Sequence, residues 1–333
     1  MIKTKSRVTI VFILTSLLAG AFGFSPPIEA QTLKKVRLGS SSTNVSFLAI
    51  YTALHRGFYK EEGIDLELIY MAANLTSAAV LSGDLDYSAA VTGLIGGAVR
   101  GQPMKVLLFT VERPLLFLIS KKEIQDPKQL VGKKIAGSSP GGSATLLAYR
   151  ALRHFGLEPG RDVAVLPMGG SAAGRFAVLE SGVVDASLLS LPESIIALEK
   201  GYRELIFLGD IVKFAQNGFG TSEKKIRENP DEVYRMVRAT LRGLKFVWDK
   251  NNQEAVTDIM MKQWKVNDRK MAAEMSRQVT RVLTKDASVN PEAVQELIDT
   301  QRENAKVTKT ISVADVVDYS FVDKARKELG MSK

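Results

Sequence analysis

The chain has 333 residues, 45 Lys and Arg against 36 Asp and Glu, a formal net charge of +9 and no cysteine. This length accommodates two domains of ordinary size, and the lack of thiols excludes disulfides, thiol catalysis and Cys-ligated zinc or iron–sulfur sites. The positive excess is spread along the chain, with no run of five like charges and no basic block interleaved with aromatics, so it reads as a solvated surface rather than a nucleic-acid or membrane footprint.

At the amino end, Lys3, Lys5 and Arg7 precede an apolar or small stretch, Val8 to Phe24, and Ser25 to Ala30 closes on a small residue. The pattern predicts a secretory signal cleaved after Ala30, because the apolar core is short for a bilayer span and no second one follows. Cleavage removes Lys3, Lys5, Arg7 and Glu29 and leaves 303 residues with a net charge of +7. With no cysteine to carry a lipid, the expected product is a freely diffusing periplasmic protein and not a lipoprotein.

The mature chain opens with a strand from Val36, a Ser-rich loop (Gly39, Ser40, Ser41, Ser42, Thr43, Asn44) and a helix ending at His55 whose Phe47, Ile50, Tyr51 and Leu54 share one face. Gly63 to Leu68 reads as a second strand, Asn74 to Ser82 as a helix, Leu85 to Val91 as a short strand, Gly93 to Arg100 as a helix and Lys105 to Val111 as a strand. Leu115 to Ser120 is a strand leading to Lys121, Lys122, Ile124 and Pro127. The opening arrangement then recurs: strand Lys134 to Ala136, loop Gly137 to Ser143, helix to His154, strand Asp162 to Leu166. Gly39 and Gly137 each stand fourteen residues before an Ala-Leu pair, and Ser82, Gly83 and Asp86 recur as Ser181, Gly182 and Asp185. Two copies of about fifty residues, roughly 98 apart, are too long and too few for a solenoid. They predict two similar α/β lobes facing each other across a cleft.

Gly218 to Ser222 is a strand followed by Lys224, Lys225, Ile226 and Pro230, echoing the segment after Leu115. These two places read as crossings between the lobes, and a chain that leaves a domain once and returns once makes a two-strand hinge. From Pro230 onward the pattern is helical, with Val233, Met236, Val237, Leu241, Leu244 and Trp248 on one face, and further helices at Glu254 to Trp264, Asp268 to Leu283, Pro291 to Asn304 and Val322 to Leu329. They are expected to pack on the first lobe, with Trp248 and Trp264 in their core. The resulting division is residues 31–116 plus 218–333 as lobe 1 and 117–217 as lobe 2.

FLAIYTALHRGFYKEEGIDLEL, LSGDLDYSAAVTG, RGQPMKV, IQDPKQLVGKKIAGSSPGGS and the VVDAS segment together resemble the solute-binding proteins of ABC importers of the taurine, alkanesulfonate, nitrate and thiamine-precursor group. The resemblance spans nearly all of the mature chain in order. It implies a type 2 periplasmic binding fold, two Rossmann-like lobes that close on a small molecule and hand it to an inner-membrane permease, with no cofactor, and a monomer. The family's pocket loops fall at Ser41, Ser42, Thr43 and Asn44, at Thr92 and Gly93, at Gly141, Gly142, Ser143 and Ala144, at Gly169, Gly170 and Ser171, and at Ser190, Leu191, Pro192 and Glu193.

Ser143 and the glycines before it either offer N–H groups and a hydroxyl to a ligand or simply cap the helix that follows. No Gly-Lys-Ser/Thr follows, so the loop is not a P-loop. Arg113 is either a two-pronged donor to an acid or an exposed arginine. Arg175 is expected on a solvated helix start, and Glu193 in a pocket loop would repel an anion. Asp86 and Asp185 are read as turn caps, and His55 and His154, at helix ends, form neither a metal site nor a catalytic base. The thiamine-pyrimidine synthases of eukaryotes share the implied fold, yet their reaction consumes a histidine and uses a cysteine-rich motif. Here the matching loop is Thr43, Asn44, Val45, Ser46, so no catalytic residue is assigned.

Overall fold

The computed structural model describes residues 33–331 apart from 41–42, 72, 139–142, 169–170, 214 and 216. The signal segment and Ser41, Ser42, Gly141, Gly142, Gly169 and Gly170 therefore lie outside the described residues. Strand β1 (Lys34–Ser40) leads through α1 (Leu48–His55) and α2 (Phe58–Glu61) to β2 (Ile64–Tyr70), which lies parallel to it with Lys34 opposite Ile64. Parallel neighbours need a crossover, and the amphipathic α1 supplies it. Helix α3 (Ala73–Ser82) leads to β3 (Tyr87–Ser88), α4 (Val91–Val99) and β4 (Met104–Phe109). The predicted strand at Leu85 to Val91 shrinks to two residues because α4 already begins at Val91.

The second half repeats this order. After β5 (Phe117–Ser120) come β6 (Lys134–Gly137), α5 (Ser143–His154), β7 (Ala164–Pro167), α6 (Ala172–Glu180), β8 (Ala186–Leu189), α7 (Glu193–Glu199), β9 (Arg203–Phe207) and β10 (Gly218–Ser222). The strands form two five-stranded sheets, in the orders β2-β1-β3-β10-β4 and β7-β6-β8-β5-β9. Each is parallel except for one antiparallel strand in its fourth place: β10 in the first sheet, β5 in the second. The two sheets thus share one topology, and each receives its antiparallel strand from the chain arriving out of the other.

The strands expected to cross between lobes are therefore sheet members, and the crossing proper is the segment ahead of each, 110–116 and 208–217. These run together: Thr110 N–H donates to the Asn217 carbonyl at 2.6 Å, and Leu208 N–H to the Leu116 carbonyl at 2.9 Å. A third segment backs them. Val111 and Leu283 form an antiparallel bridge, Thr284 N–H bonds the Thr110 carbonyl and Phe109 N–H the Ala287 carbonyl.

The carboxyl-terminal helices are α8 (Glu223–Glu228), α9 (Pro230–Trp248), α10 (Gln253–Trp264), α11 (Arg269–Thr280), α12 (Pro291–Ala305), α13 (Val313–Val316) and α14 (Ser320–Leu329). Pro230 occupies the first turn of α9, where its missing N–H costs nothing. Helix α9 buries Val233, Met236, Val237, Leu241 and Leu244 against α1. Contact there is so close that a Cβ on Gly243 would stand 2.2 Å from the Ala49 carbonyl oxygen. Helix α12 packs Val294, Leu297 and Ile298 on α4 beside β4. Helix α5 packs Ala148, Ala151 and Leu152 on the second sheet. Each large buried side chain in these layers contributes roughly 1.5–3 kcal/mol.

Candidate functional site

Strands β1, β2, β3 and β4 of the first sheet end on one edge, as do β6, β7 and β8 of the second. The crossings leave the first sheet after Phe109, at that carboxyl edge, and enter the second at Phe117, which lies opposite Leu189, the carboxyl end of β8. Short paired crossings joining two carboxyl edges turn both edges toward one gap. Ligand sites of parallel α/β sheets lie beyond such edges.

The candidate residues of the first sheet stand there. Thr43 and Asn44 follow β1 and are exposed. Asn44 Oδ1 accepts from Ser46 N–H at 2.8 Å and so holds the short 3-10 turn that leads into α1. Thr92 and Gly93 are not a loop but the first turn of α4, with Thr92 exposed. On the second sheet, Ser143 is the first residue of α5 and Ala144 is buried beside it. Thr145 ties this helix start to the strand end through Oγ1 to the Ser138 carbonyl at 3.2 Å. Ser171 caps α6, accepting from Gly174 N–H at 3.2 Å. Ser190 and Pro192 are half-buried between β8 and α7, and Glu193, expected in a loop, is the half-buried first residue of α7. The two edges are built alike: Met71 N–H donates to the Ser40 carbonyl and Met168 N–H to the Gly137 carbonyl.

Arg113 stands apart, in the crossing, where its guanidinium pairs with Glu112 at 3.2 Å. Arg113 lines a groove with Trp248, Arg281, Lys285 and Asp286 on the side of the carboxyl-terminal segments. The expectation for Arg175 is overturned. It is buried, its Nε donates to the Leu188 carbonyl at 2.8 Å, and burial lowers the guanidinium pKa against the opposing pull of Glu193. The reason is positional: β8 is flanked by β6 and β5, so the helix start that follows Ser171 lies over the end of a central strand rather than in solvent. A buried arginine at the carboxyl edge, beside Ser190 and Glu193, is the functional candidate that the sequence reading missed. Its repeat position, 99 residues earlier, is the buried Thr76, bonded by Ser88 Oγ at 2.8 Å.

Asp86 and Asp185 prove not to be turn caps. Asp86 accepts from Arg37 N–H at 2.8 Å and from Lys225 Nζ at 2.6 Å, and Asp185 from Lys134 N–H at 3.0 Å and Lys121 Nζ at 2.9 Å. Each carboxylate joins an interior strand, at Arg37 in the middle of β1 or at Lys134 opening β6, to the lysine that follows the antiparallel strand. Burial pushes the Asp185 carboxyl upward, but the Lys121 and Lys134 bonds outweigh it and hold it below the ordinary carboxylate value. Both pairs sit at the amino edges, away from the gap, and are structural. Trp248 and Trp264 pack against the core but are only half-buried; Trp264, at the end of α10, donates its indole N–H to the Thr43 carbonyl and meets Tyr51 edge-on at 5.2 Å between centroids. His55 bonds Gln263 at 2.9 Å and His154 lies against Phe155, so neither faces a carboxylate or a serine in a catalytic set. Among the described residues no group of three His, Asp or Glu is placed to hold a metal.

Residues 44–255 match the family described as NMT1/THI5 like. The chain is 30% identical over 229 residues to the riboflavin-binding protein RibY of Chloroflexus aurantiacus, covering 66% of this chain but only 64% of that protein's length. It is 26% identical over 335 residues to a Bacillus subtilis protein whose name provisionally assigns it to aliphatic sulfonates, with 96% of each chain covered. In three dimensions it resembles the periplasmic aliphatic sulphonate binding protein SsuA of Escherichia coli, with a TM-score of 0.66 at 18% identity over 85% of this chain and 92% of that one. With two α/β sheets of one topology joined by paired crossings, and a family match over residues 44–255, the chain belongs to the NMT1/THI5-like family and has the type 2 periplasmic binding fold.

Proposed function

We propose that the protein is the periplasmic substrate-binding component of an ABC importer, and that it works as a monomer without cofactor. It captures a small polar or anionic organic molecule of the sulfonate, nitrate, pyrimidine or aromatic acid class and delivers it to an inner-membrane permease. The observation that carries the reading is the doubled strand-end and helix-start arrangement, Thr43 and Asn44 after β1, and Ser138, Ser143 and Ala144 between β6 and α5, set on two carboxyl edges joined by one paired crossing. In this reading residues 31–116 with 218–333, and residues 117–217, are lobes that rotate about 110–116 and 208–217, and a ligand held by both edges selects the closed form. The ligand contacts are Ser41–Asn44, Thr92, Gly141–Ala144, Gly169–Ser171, Ser190 and Glu193, with Arg175 beneath the last group. Arg113, paired through Nε with Glu112 in the crossing, is a further candidate donor. The names of the relatives, which refer to riboflavin and to sulfonates, support an organic solute.

The test is a thermal-shift screen of the purified chain against sulfonates, nitrate, pyrimidines and aromatic acids. A ligand at a hundred times its Kd adds about 2.7 kcal/mol of stability. If no compound stabilises the protein while one is converted to product, the binding reading is wrong.

Closure also makes a prediction for the ion pair between Arg150 of α5 and Glu296 of α12, 2.6 Å apart, which links the helix layers of the two sheets. Both partners are about half exposed, so the pair is worth about 0.2–1 kcal/mol. Glu296→Lys is expected to change ligand affinity by no more than about fivefold, with recovery in the Arg150→Glu, Glu296→Lys double variant. An effect that persists undiminished in 1 M NaCl would show that the charge pair is not its source.

A further inference from the structure

Eight large apolar side chains are exposed among the described residues. Four of them, Leu81, Val131, Val183 and Leu198, sit singly at helix ends and turns on the amino-edge side, which is ordinary for a protein surface. The other four are Tyr70 (50% exposed), Leu75 (54%), Leu146 (49%) and Met168 (37%), and all of them stand at the carboxyl edges. Tyr70 ends β2 opposite Ser40, and Leu75 is in the first turn of α3. Leu146 is in the first turn of α5, and Met168 bonds the Gly137 carbonyl. Each sheet therefore sets two bare apolar groups on its carboxyl edge.

On the first sheet Tyr70 is built into a wall. Tyr70 and Tyr51 share a hydrogen bond between their hydroxyls at 2.8 Å, Tyr51 is buried and meets Trp264 edge-on, and Trp264 holds the Thr43 carbonyl. Burial and the Tyr70 bond raise the Tyr51 hydroxyl far above its ordinary pKa. A wall fastened to the loop by its own hydrogen bonds costs little entropy when it meets a ligand. Facing apolar groups would be wasted on a small, fully hydrated anion, which needs donors on every side.

We propose that the solute carries an aromatic, ring-bearing body on its polar head, and that Tyr70, Leu75, Leu146 and Met168 close on that body while polar groups of the two edges, among them Thr43, Asn44 and Ser171, take the head. This rests on the binding reading above and narrows its ligand class. The experiment uses the purified chain and matched pairs that share a head: naphthalene-2-sulfonate with methanesulfonate, naphthalene-2-carboxylate with acetate, and quinoline-2-carboxamide with acetamide, with nitrate alongside. In at least one pair the ring-bearing member is expected to raise Tm and bind at least tenfold more tightly than its partner by calorimetry. Nitrate or a head-only compound binding as tightly as its ring-bearing partner overturns the inference while leaving the binding reading intact. If neither member of any pair binds, nor any compound of the wider screen, the binding reading fails and the inference with it.

Leu146→Asp and Met168→Asp separate this role from folding, because both side chains are already exposed. Ligand-free Tm is expected to stay as it was while ring-ligand affinity falls at least tenfold. The chain has two tryptophans, so Trp248→Phe leaves Trp264 as the sole indole emitter. Its emission is expected to shift when the ring ligand binds, and an unchanged spectrum at saturation would place the ligand away from the wall.

Discussion

Glu232→Ala is expected to lower unfolding stability by about 3–5 kcal/mol, because it removes one partner from a buried charge cluster. Glu232 is 2% exposed and pairs with Lys34, with Lys225 at 2.6 Å and with the Tyr87 hydroxyl, which donates at 3.1 Å. Burial alone would push the Lys225 ammonium down, yet its bonds to Asp86 and Glu232 hold it above the ordinary lysine value. A group so raised stabilises the fold at every pH below the ordinary lysine range and loses that contribution only as alkali titrates it. The variant leaves this ammonium with Asp86 alone and leaves Tyr87 without its acceptor. Urea denaturation at neutral pH measures the loss. A control in Glu67→Ala, where the ion pairs to Lys35 and Arg37 are long and exposed, is expected to stay within about 0.5 kcal/mol of the parent. If both variants lose the same amount, the cluster does not anchor β1 to α9.

Gly142→Asp is expected to reduce affinity for any stabilising ligand more than a hundredfold without loss of the folded state. Gly142 immediately precedes the first residue of α5 in the sequence, and a helix start and its dipole favour a negative or acceptor group from the ligand. An aspartate there adds a carboxylate that competes for the same helix start. Gly137 provides the contrast. A Cβ at that position would stand 2.5 Å from Thr145 Oγ1 and 3.3 Å from Thr145 Cα, so Gly137→Ala displaces the helix start itself and is expected to cost stability as well as affinity. Calorimetric titration and thermal melts of both variants test the pair. Wild-type affinity in Gly142→Asp would take this loop out of the site.

Much of the architecture was legible in the chain because it is written locally. The repeat from Gly39 to Asp86 and from Gly137 to Asp185 shows in the sequence since each copy must build the same strand, turn and helix, and the periods that build them are two and 3.6 residues long. Pro230 at a helix start, the apolar face of α9 and the small-residue loops before α1 and α5 are signals of the same short range. What the tertiary structure alone decided joins residues that no periodicity connects. Trp264 reaches Thr43 across 221 positions, Lys225 reaches Asp86 across 139, and the crossings meet at Thr110 and Asn217. Arg175 is the sharpest case: its residue type and its place at a helix start both argue for solvent. It is buried because β5 and β6 flank β8 and bring the start of α6 over a covered strand end. A side chain's partners depend on which strands become neighbours, and that order is set by how the two sheets exchange β5 and β10, a property of the whole chain and not of any stretch of it.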